Sequence, residues 1–395
     1  MKIRQIGADE RVSLSLPVQS YAFQGSPLTG SELERLRETQ RYYEGHLTLV
    51  AEEDGRVVAD VSAVAMRQNV RGTVYPMAGV AGLATLTLAR RKGYARALVN
   101  ELLGRMRDAG HVVSALYPFR PSFYERFGFV GLPRTRSVTF APADVTGMLR
   151  AGPDGEVTCE RIGAGYEIYR DFTLRLVTRR HGFAVHPDFR AVQVRDADDR
   201  WLVTARVGGE VVGAATYRIS AHAGDLVADD MLTTGPRGRA LLLGFFARHV
   251  DQVTRVVVTV GPDELPELWA TDLAAVVQAR TSFPDSPAPM ARVLTVDGLA
   301  GMAVGPGLVA VDVVDDPLAA GRYVFDGRSG QLVVDRDPTG EAAATLTVPG
   351  LSGLVYGVLD AEAVVVRGFG AMSGAAAVEL DRLFAPRVPY LFAAF

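Results

Sequence analysis

The sequence is poor in cysteine and has little excess of charge. Among its 395 residues there is a single cysteine, Cys159, which excludes an internal disulfide framework and a metal site built from a cysteine cluster. The 42 lysines and arginines nearly balance the 45 acidic residues, for a formal net charge of -3. A protein held on nucleic acid by bulk charge should be basic. We therefore expect no nucleic-acid partner.

Long apolar runs are also missing. The longest uncharged stretches, 72–89 and 342–359, both contain proline and several glycines, which favours buried strands and turns over membrane spans. The start, MKIRQIGADERVSL, has no apolar stretch behind its basic residues and is not typical of a secretory signal. With the single cysteine, these features predict a cytoplasmic protein with no membrane partner.

The first segment, residues 1–147, alternates between strand-like and helix-like stretches. Its clearest turn is Asp54-Gly55, a strong signal for a β-hairpin. The apolar stretch 74–88 predicts a buried strand whose glycines permit a bulge. Residues 89–110 then carry apolar side chains at the period of a helix. The order of elements predicts an α/β domain.

The rest of the chain divides into two further segments. Residues 148–284 repeat the order strand, turn, helix and strand, with a second hairpin signal at Gly208-Gly209, which suggests an internal duplication. A proline-dense stretch at 282–289 predicts a linker. Residues 285–395 combine short β-rich pieces with helical candidates, which predicts an α+β domain.

The turn Arg90-Arg91-Lys92-Gly93-Tyr94-Ala95 is the strongest candidate for a binding site. The start of a helix presents free N–H groups and the positive end of the helix dipole, so it binds anions. Gly93 allows close approach of the main chain, and Ala95 leaves room. The pattern predicts a pyrophosphate site, although it is neither a P-loop nor a G-x-G-x-x-G fingerprint. A basic helix start without a ligand is the alternative interpretation of these six residues alone.

The pattern Arg90-x-x-Gly93-x-Ala95, after a strand and within this order of elements, resembles the GNAT superfamily of N-acetyltransferases. The resemblance implies that the turn binds the pyrophosphate of acetyl-CoA. The layout of the whole chain is similar to the Eis (enhanced intracellular survival) family, supported by the motif FYERFGF at 123–129 and the aromatic last residue, Phe395. It implies a catalytic GNAT domain (1–147), a degenerate GNAT-like domain (148–284) and a sterol-carrier-protein-like domain (285–395).

The resemblance also implies roles for individual residues. Tyr124 corresponds to the tyrosine that donates a proton, and the terminal carboxylate of Phe395 to the base. The positions that correspond to cofactor contacts are Leu83, Ala84 and Thr85 on the strand, Arg90, Arg91, Lys92, Gly93, Tyr94, Ala95 and Arg96 in the turn, and Phe119 and Arg120. No metal is implied.

The chemistry agrees with these roles. The attacking amine must lose a proton, which a carboxylate within hydrogen-bond reach can accept, and a phenol can protonate the leaving thiolate. Backbone N–H groups of the strand can polarise the thioester carbonyl. A carboxylate with a pKa near 3.5 is a weak base in water, so its use depends on burial or on holding the amine close. The tail 388–395 is apolar to the last residue, which predicts that it is packed into the protein.

Several alternatives stay open. The second-domain turn, residues 235–240, replaces the basic first residue by Gly235 and removes an N–H at Pro236, so we predict that this domain is structural. His181 and His186 lie five residues apart, which is not the spacing of a helical zinc pair. Family members accept aminoglycoside-like amines or lysine side chains, but a polycation needs an acidic lining, so the acceptor is left open. The resemblance implies a homohexamer. A non-catalytic CoA sensor and a lipid-binding module are the alternative functions.

Overall fold

The structure of the chain, a computed structural model, describes residues 1–24, 26–151, 153–336 and 339–395. Within them the chain forms two units. The first consists of Met1–Leu132, Arg180–Arg190 and Ser282–Phe395, and the second of Pro133–Arg179 and Ala191–Thr281. The three predicted segments stay a prediction about domains. The units differ from them because the strand at Arg136–Phe140 pairs within the sheet of the second unit.

The described strands and helices follow one another along the chain with short connections. The strands are β1 Lys2–Ile6, β2 Leu47–Glu53, β3 Arg56–Val70, β4 Thr73–Thr85, β5 Val113–Leu116, β6 Val130–Gly131, β7 Arg136–Phe140, β8 Glu156–Arg161, β9 Ala184–Val185, β10 Trp201–Val207, β11 Glu210–Ile219, β12 Asp225–Thr233, β13 Arg255–Val260, β14 Val276–Gln278, β15 Met290–Val293, β16 Leu308–Val314, β17 Gly321–Asp326, β18 Val333–Arg336, β19 Ala344–Thr347 and β20 Gly370–Met372. The helices are α1 Ala8–Leu14, α2 Leu16–Phe23, α3 Gly30–Glu38, α4 Tyr94–Asp108, α5 Pro121–Glu125, α6 Met148–Ala151, α7 Ile162–Val177, α8 Asp188–Ala197, α9 Pro236–Ala247, α10 Val348–Val355, α11 Ala361–Val366 and α12 Gly374–Leu383.

The main sheet of the first unit has the order β1-β2-β3-β4-β5-β15-β6, with β9 beside β3. Only the β4–β5 pair among these described strands is parallel. The predicted hairpin at Asp54-Gly55 is confirmed, with φ values of 51° and 74° that suit the turn. The strand β15 enters this sheet from the far end of the chain, which the sequence did not indicate.

The helix α4 covers one face of this sheet. Its buried side chains, which include Leu98, Val99 and Leu102, pack in one core cluster with Val61 and Val80 of the sheet. Each such side chain stabilises the fold by about 1.5–3 kcal/mol when it leaves water. The predicted periodicity of 89–110 is therefore confirmed, and the packing fixes the start of α4 against the end of β4.

A second sheet of the first unit has the order β18-β17-β16-β19-β20 and shares a core with α10 and α12. The predicted α+β character of this region is confirmed. The chain after α12 has no helix or strand, yet Tyr390, Leu391 and Ala393 are at most 5% exposed. The ring of Phe392 stacks on that of Phe183 at 4.6 Å between centroids. The predicted packing of the apolar tail is thus confirmed.

The second unit contains a sheet of order β14-β7-β13-β12-β11-β10-β8. The hairpin predicted at Gly208-Gly209 joins β10 to β11, and both glycines have positive φ. Its β12–β13 pair is parallel, and α9 follows β12 as α4 follows β4. This repeat confirms the predicted duplication of mixed sheets flanked by helices. None of the described helices is long and apolar enough to cross a membrane.

Candidate active site

The strand β4 bulges at Gly82. Its register against β3 changes from Ala81 opposite Ser62 to Ala84 opposite Asp60, which places one extra residue on β4. Gly82 has a φ of 63°, a left-handed conformation that glycine adopts without a Cβ penalty. The predicted bulge is therefore confirmed.

Beyond the bulge, β4 also loses its parallel neighbour. The last described pair joins Val80 to Leu116, where β5 ends, whereas β4 continues to Thr85. The stretch from Leu83 to Thr85 consequently has β3 on one side and no paired strand on the other among the described residues. An unpaired strand edge offers main-chain N–H and C=O groups to an extended ligand. This is where the sequence places the contacts to the pantetheine arm.

The turn between β4 and α4 is held open by two left-handed residues. Gly93 caps α4 with a φ of 90°, and Arg91 has a φ of 64°. These conformations start the helix at Tyr94 and not at the predicted residue 89. The first N–H groups of a helix have no partner inside it. A Cβ atom built on Gly93 would meet no atom within 4 Å, so the turn has room for a ligand such as a diphosphate.

The side chains of the turn have different environments. Arg90, Arg91 and Arg96 are exposed, and Lys92 pairs with Glu53 at 3.0 Å. Tyr94 is buried and hydrogen-bonds to the same carboxylate, which, with Lys92, lowers the pKa of Glu53. Tyr94 therefore anchors the turn through its side chain, and Ala95 is partly buried beside it.

Tyr124 lies on the short helix α5, for which Arg120 is the N-cap residue. It is 4% exposed, and its ring contacts Phe119, Phe123 and Phe129 at centroid distances of 5.0–6.1 Å. Burial raises the pKa of its phenol above the usual value, so the group is a neutral donor at physiological pH. Among the described residues its hydroxyl has no hydrogen-bond partner. Arg120 is exposed and Phe119 is 46% exposed.

The last residue of the chain packs on the main sheet of the first unit. A Cβ atom on Gly79 would lie 2.7 Å from Cδ2 of Phe395, so only a glycine at this position of β4 leaves space for the terminal ring. Tyr117 contacts that ring at 5.6 Å between centroids and donates to the carbonyl of Ala393 at 3.4 Å. Nε2 of His186 lies 3.0 Å from the carbonyl of Ala394, to which it donates.

A cleft of about 830 Å³, open to solvent, joins the terminus to the bulge. It is lined by Phe395 and by Ala81 and Gly82 of β4, together with side chains of α1, α2, β3 and the segment around Tyr43. The structure thus brings two of the predicted features, the terminus and the bulged strand, to one cleft. Tyr124 and the turn 90–96 do not line this cleft.

A buried polar cluster underlies the cleft. Arg11, 4% exposed, donates through Nη1 to Thr48 and Ser62, at 2.6 and 3.1 Å from their hydroxyl oxygens. Oδ2 of Asp60 accepts from the Ser15 hydroxyl at 2.5 Å and from Nε2 of Gln19 at 2.9 Å. Burial raises the pKa of Asp60 to about 7. The cluster therefore carries a carboxyl that changes charge near neutral pH.

Two histidines near the terminus are neutral. Burial, with a smaller effect of Arg11 and Arg190, lowers the pKa of His46 to about 3. Burial likewise lowers the pKa of His186 to about 4. Neither histidine adds positive charge to the cleft at pH 7.

The residues of this cluster are not among those predicted from the sequence. Arg11 and Gln19 lie on α1 and α2, two short helices that the sequence patterns did not indicate. The acidic residues Asp9 and Glu10 directly after Gly7 were a weak signal for a helix start, since acidic side chains favour the first turn. The weak apolar periodicity of α2 left no comparable signal.

The two histidines considered as metal ligands bind main-chain groups. Nδ1 of His181 accepts from the N–H of Arg71 at 3.1 Å, and its Nε2 donates to the carbonyl of Tyr356 at 2.9 Å. In the described part of the chain, no group of three or more His, Cys, Asp or Glu side chains could hold a metal ion.

Comparisons with known proteins agree with this geometry. Residues 2–131 match the model of an acetyltransferase (GNAT) domain family, and residues 181–293 match a second model with the same description. The sequence has no significant match among curated proteins.

Solved structures resemble the whole chain. A GCN5-related N-acetyltransferase from Kribbella flavida is 20% identical with a TM-score of 0.82, over 100% of this chain and 98% of its own. A probable N-acyltransferase from Enterococcus faecalis is 18% identical with a TM-score of 0.83, over 100% and 99%. Eis1 from Mycobacterium abscessus is 20% identical with a TM-score of 0.78, over 100% of both chains.

The chain therefore carries two GNAT acetyltransferase domains in tandem, and the predicted enzyme class, an N-acetyltransferase of the GNAT superfamily, is confirmed. Over its full length it has the fold of Eis1.

Proposed function

We propose that the first GNAT domain transfers the acetyl group of acetyl-CoA directly to a primary amine, with Tyr124 as general acid and the terminal carboxylate of Phe395 as general base. The observation that carries this proposal is the position of Phe395, which packs on Gly79 and lines the same cleft as the bulge at Gly82. A carboxylate in that cleft has access to an amine placed beside the bulged strand.

The cofactor would lie along β4. The free edge at Leu83–Thr85 suits the amide-rich pantetheine arm, and the N–H groups at the start of α4 with Arg91 beside them suit the diphosphate. A thioester at the bulge would have its carbonyl polarised by main-chain N–H groups. The amine attacks the carbonyl carbon, its proton passes to the carboxylate, and the C–S bond breaks as the phenol protonates the thiolate.

Changes at the C-terminus test this proposal most directly. One variant lacks Phe395 and another carries one added glycine after it. Both displace the carboxylate, so thiol release from acetyl-CoA with an amine panel should fall by about 10²-fold or more. The affinity for acetyl-CoA, measured by titration calorimetry, should stay nearly unchanged.

Leu391→Ala is a control that disturbs the packed tail and leaves the last residue in place. Full turnover in both terminal variants would reject the carboxylate as the base. A protein that binds acetyl-CoA but releases no thiol with any amine would be a CoA sensor, the alternative considered from the sequence.

Other features of the proposal rest on the resemblance to the Eis family. They are a sterol-carrier-like C-terminal domain, a homohexameric assembly, a cytoplasmic location and catalysis without a metal. The second GNAT domain would serve a structural role. The acceptor is a small-molecule or lysine amine.

A further inference from the structure

The lining of the acceptor cleft is positively charged. Arg11 and Arg190 both line it, and their guanidinium carbons lie 5.1 and 4.8 Å from the ring centroid of Tyr43, which also lines it. No Asp or Glu side chain is among the described lining residues, and the acid they include is the terminal carboxylate of Phe395. A polycationic amine would meet like charge here.

Arg11 lacks a full counter-charge. Its described hydrogen bonds use Nη1 and reach two uncharged hydroxyl groups, while its buried Nε has no hydrogen-bond partner. The acid that acts on it, Asp60, carries less than a full charge near neutral pH because burial raises the pKa of Asp60 to about 7. Leaving a charged, buried donor unpaired costs free energy that an incoming anion recovers.

We propose that the acceptor carries a carboxylate in addition to its amine, and that Arg11 binds this carboxylate in the cleft beside Tyr43. The inference rests on the proposed function, because it names the class of acceptor for the same cleft. The free Nε edge of a guanidinium matches the planar fork of a carboxylate. A zwitterionic acceptor thus satisfies both Arg11 and the carboxylate of Phe395, whereas a diamine satisfies only the latter.

Three amines of equal chain length test the proposal: 5-aminopentanoate, pentylamine and pentane-1,5-diamine. In the thiol-release assay, kcat/KM for 5-aminopentanoate should exceed those for the other two by about tenfold or more, since a charge-assisted hydrogen bond contributes on that scale. Arg11→Gln should remove this advantage and leave the KM for acetyl-CoA unchanged. Arg11→Lys should retain part of the advantage, and Arg105→Gln, on the exposed face of α4, should retain it all.

A diamine that reacts as well as 5-aminopentanoate would overturn the proposal, and so would an advantage that survives Arg11→Gln. If no amine reacts, the proposed function has failed, and binding of pentanoate decides the question without turnover. By titration, pentanoate should then bind the wild-type protein at least tenfold more tightly than the Arg11→Gln variant. Equal binding to both would refute the carboxylate site.

Discussion

The turns that open α4 and α9 follow equivalent strands of two duplicated sheets, yet they differ in the features that bind a diphosphate. Before α4, Gly93 at a φ of 90° leaves open space beside free N–H groups and three preceding cations. Before α9, Gly235 is extended, with a φ of 163°, and Pro236 removes one donor. The comparison teaches that duplication of a fold preserves the sheet more readily than the ligand-binding turn.

The two sheets also differ in the element that comes after the second strand of their parallel pair. β5 leads into α5, which carries the buried phenol of Tyr124. β13 leads into a 3-10 turn at Pro266–Leu268, and the sequence 261–275 contains no tyrosine. The second domain therefore offers no equivalent general acid.

Replacing the phenol gives the largest effect within this comparison. Tyr124→Phe removes one hydroxyl, so turnover should drop by about 10²-fold or more while the affinity for acetyl-CoA changes little. Tyr217→Phe, a matched change of a buried tyrosine in the second unit, should leave turnover unchanged. Steady-state kinetics with a fixed amine measure both, and an unchanged kcat in Tyr124→Phe would remove this residue from the mechanism.

Replacing one arginine in each turn gives a smaller effect. Arg91→Ala should raise the apparent KM for acetyl-CoA by about tenfold, because it removes one charged donor to the diphosphate. Arg237→Ala, at the start of α9, should leave KM unchanged if the second turn binds no cofactor. Equal effects of the two substitutions would contradict the distinction between the domains.

The smallest effect concerns a buried aspartate in each unit. Burial raises the pKa of Asp60 from 3.8 to about 7 and that of Asp230 to about 6. The folded protein then binds more protons than the unfolded chain between these values, so stability falls as pH rises through that window.

Asp60→Asn should flatten the loss of stability between about pH 4 and 7, on the order of 2 kcal/mol. Asp230→Asn should flatten it only up to about pH 6. Urea unfolding at a series of pH values measures the slopes. A wild-type stability that rises with pH across this range would show that the sign is wrong.

The fold and part of the site could be predicted from the sequence because their signals are local. The hairpin at Asp54-Gly55, the period of α4 and the turn at Gly93 each depend on residues close in the chain. The apolar tail likewise predicted its own burial. Where it packs, on Gly79 of β4, depends on residues more than 300 positions away and has no local signal.

The acceptor cleft could not be predicted for the same reason. Its side chains come from α1, α2, the segment around Tyr43, Arg190 and the terminus. Arg11 had no charged neighbour in sequence that marked it as buried, and its environment arises only when α1 packs beside β2 and β3. The charge of the cleft is thus a property of the folded structure.

A crystal structure with bound CoA is the most direct test of the central claim, that the turn at Gly93 and the edge of β4 form the cofactor site of the chain. We expect the diphosphate at the start of α4 and the pantetheine arm along Leu83–Thr85, with no ligand at the start of α9. CoA bound at the turn before α9, or absent from the turn at Gly93 at saturating concentration, would contradict the account.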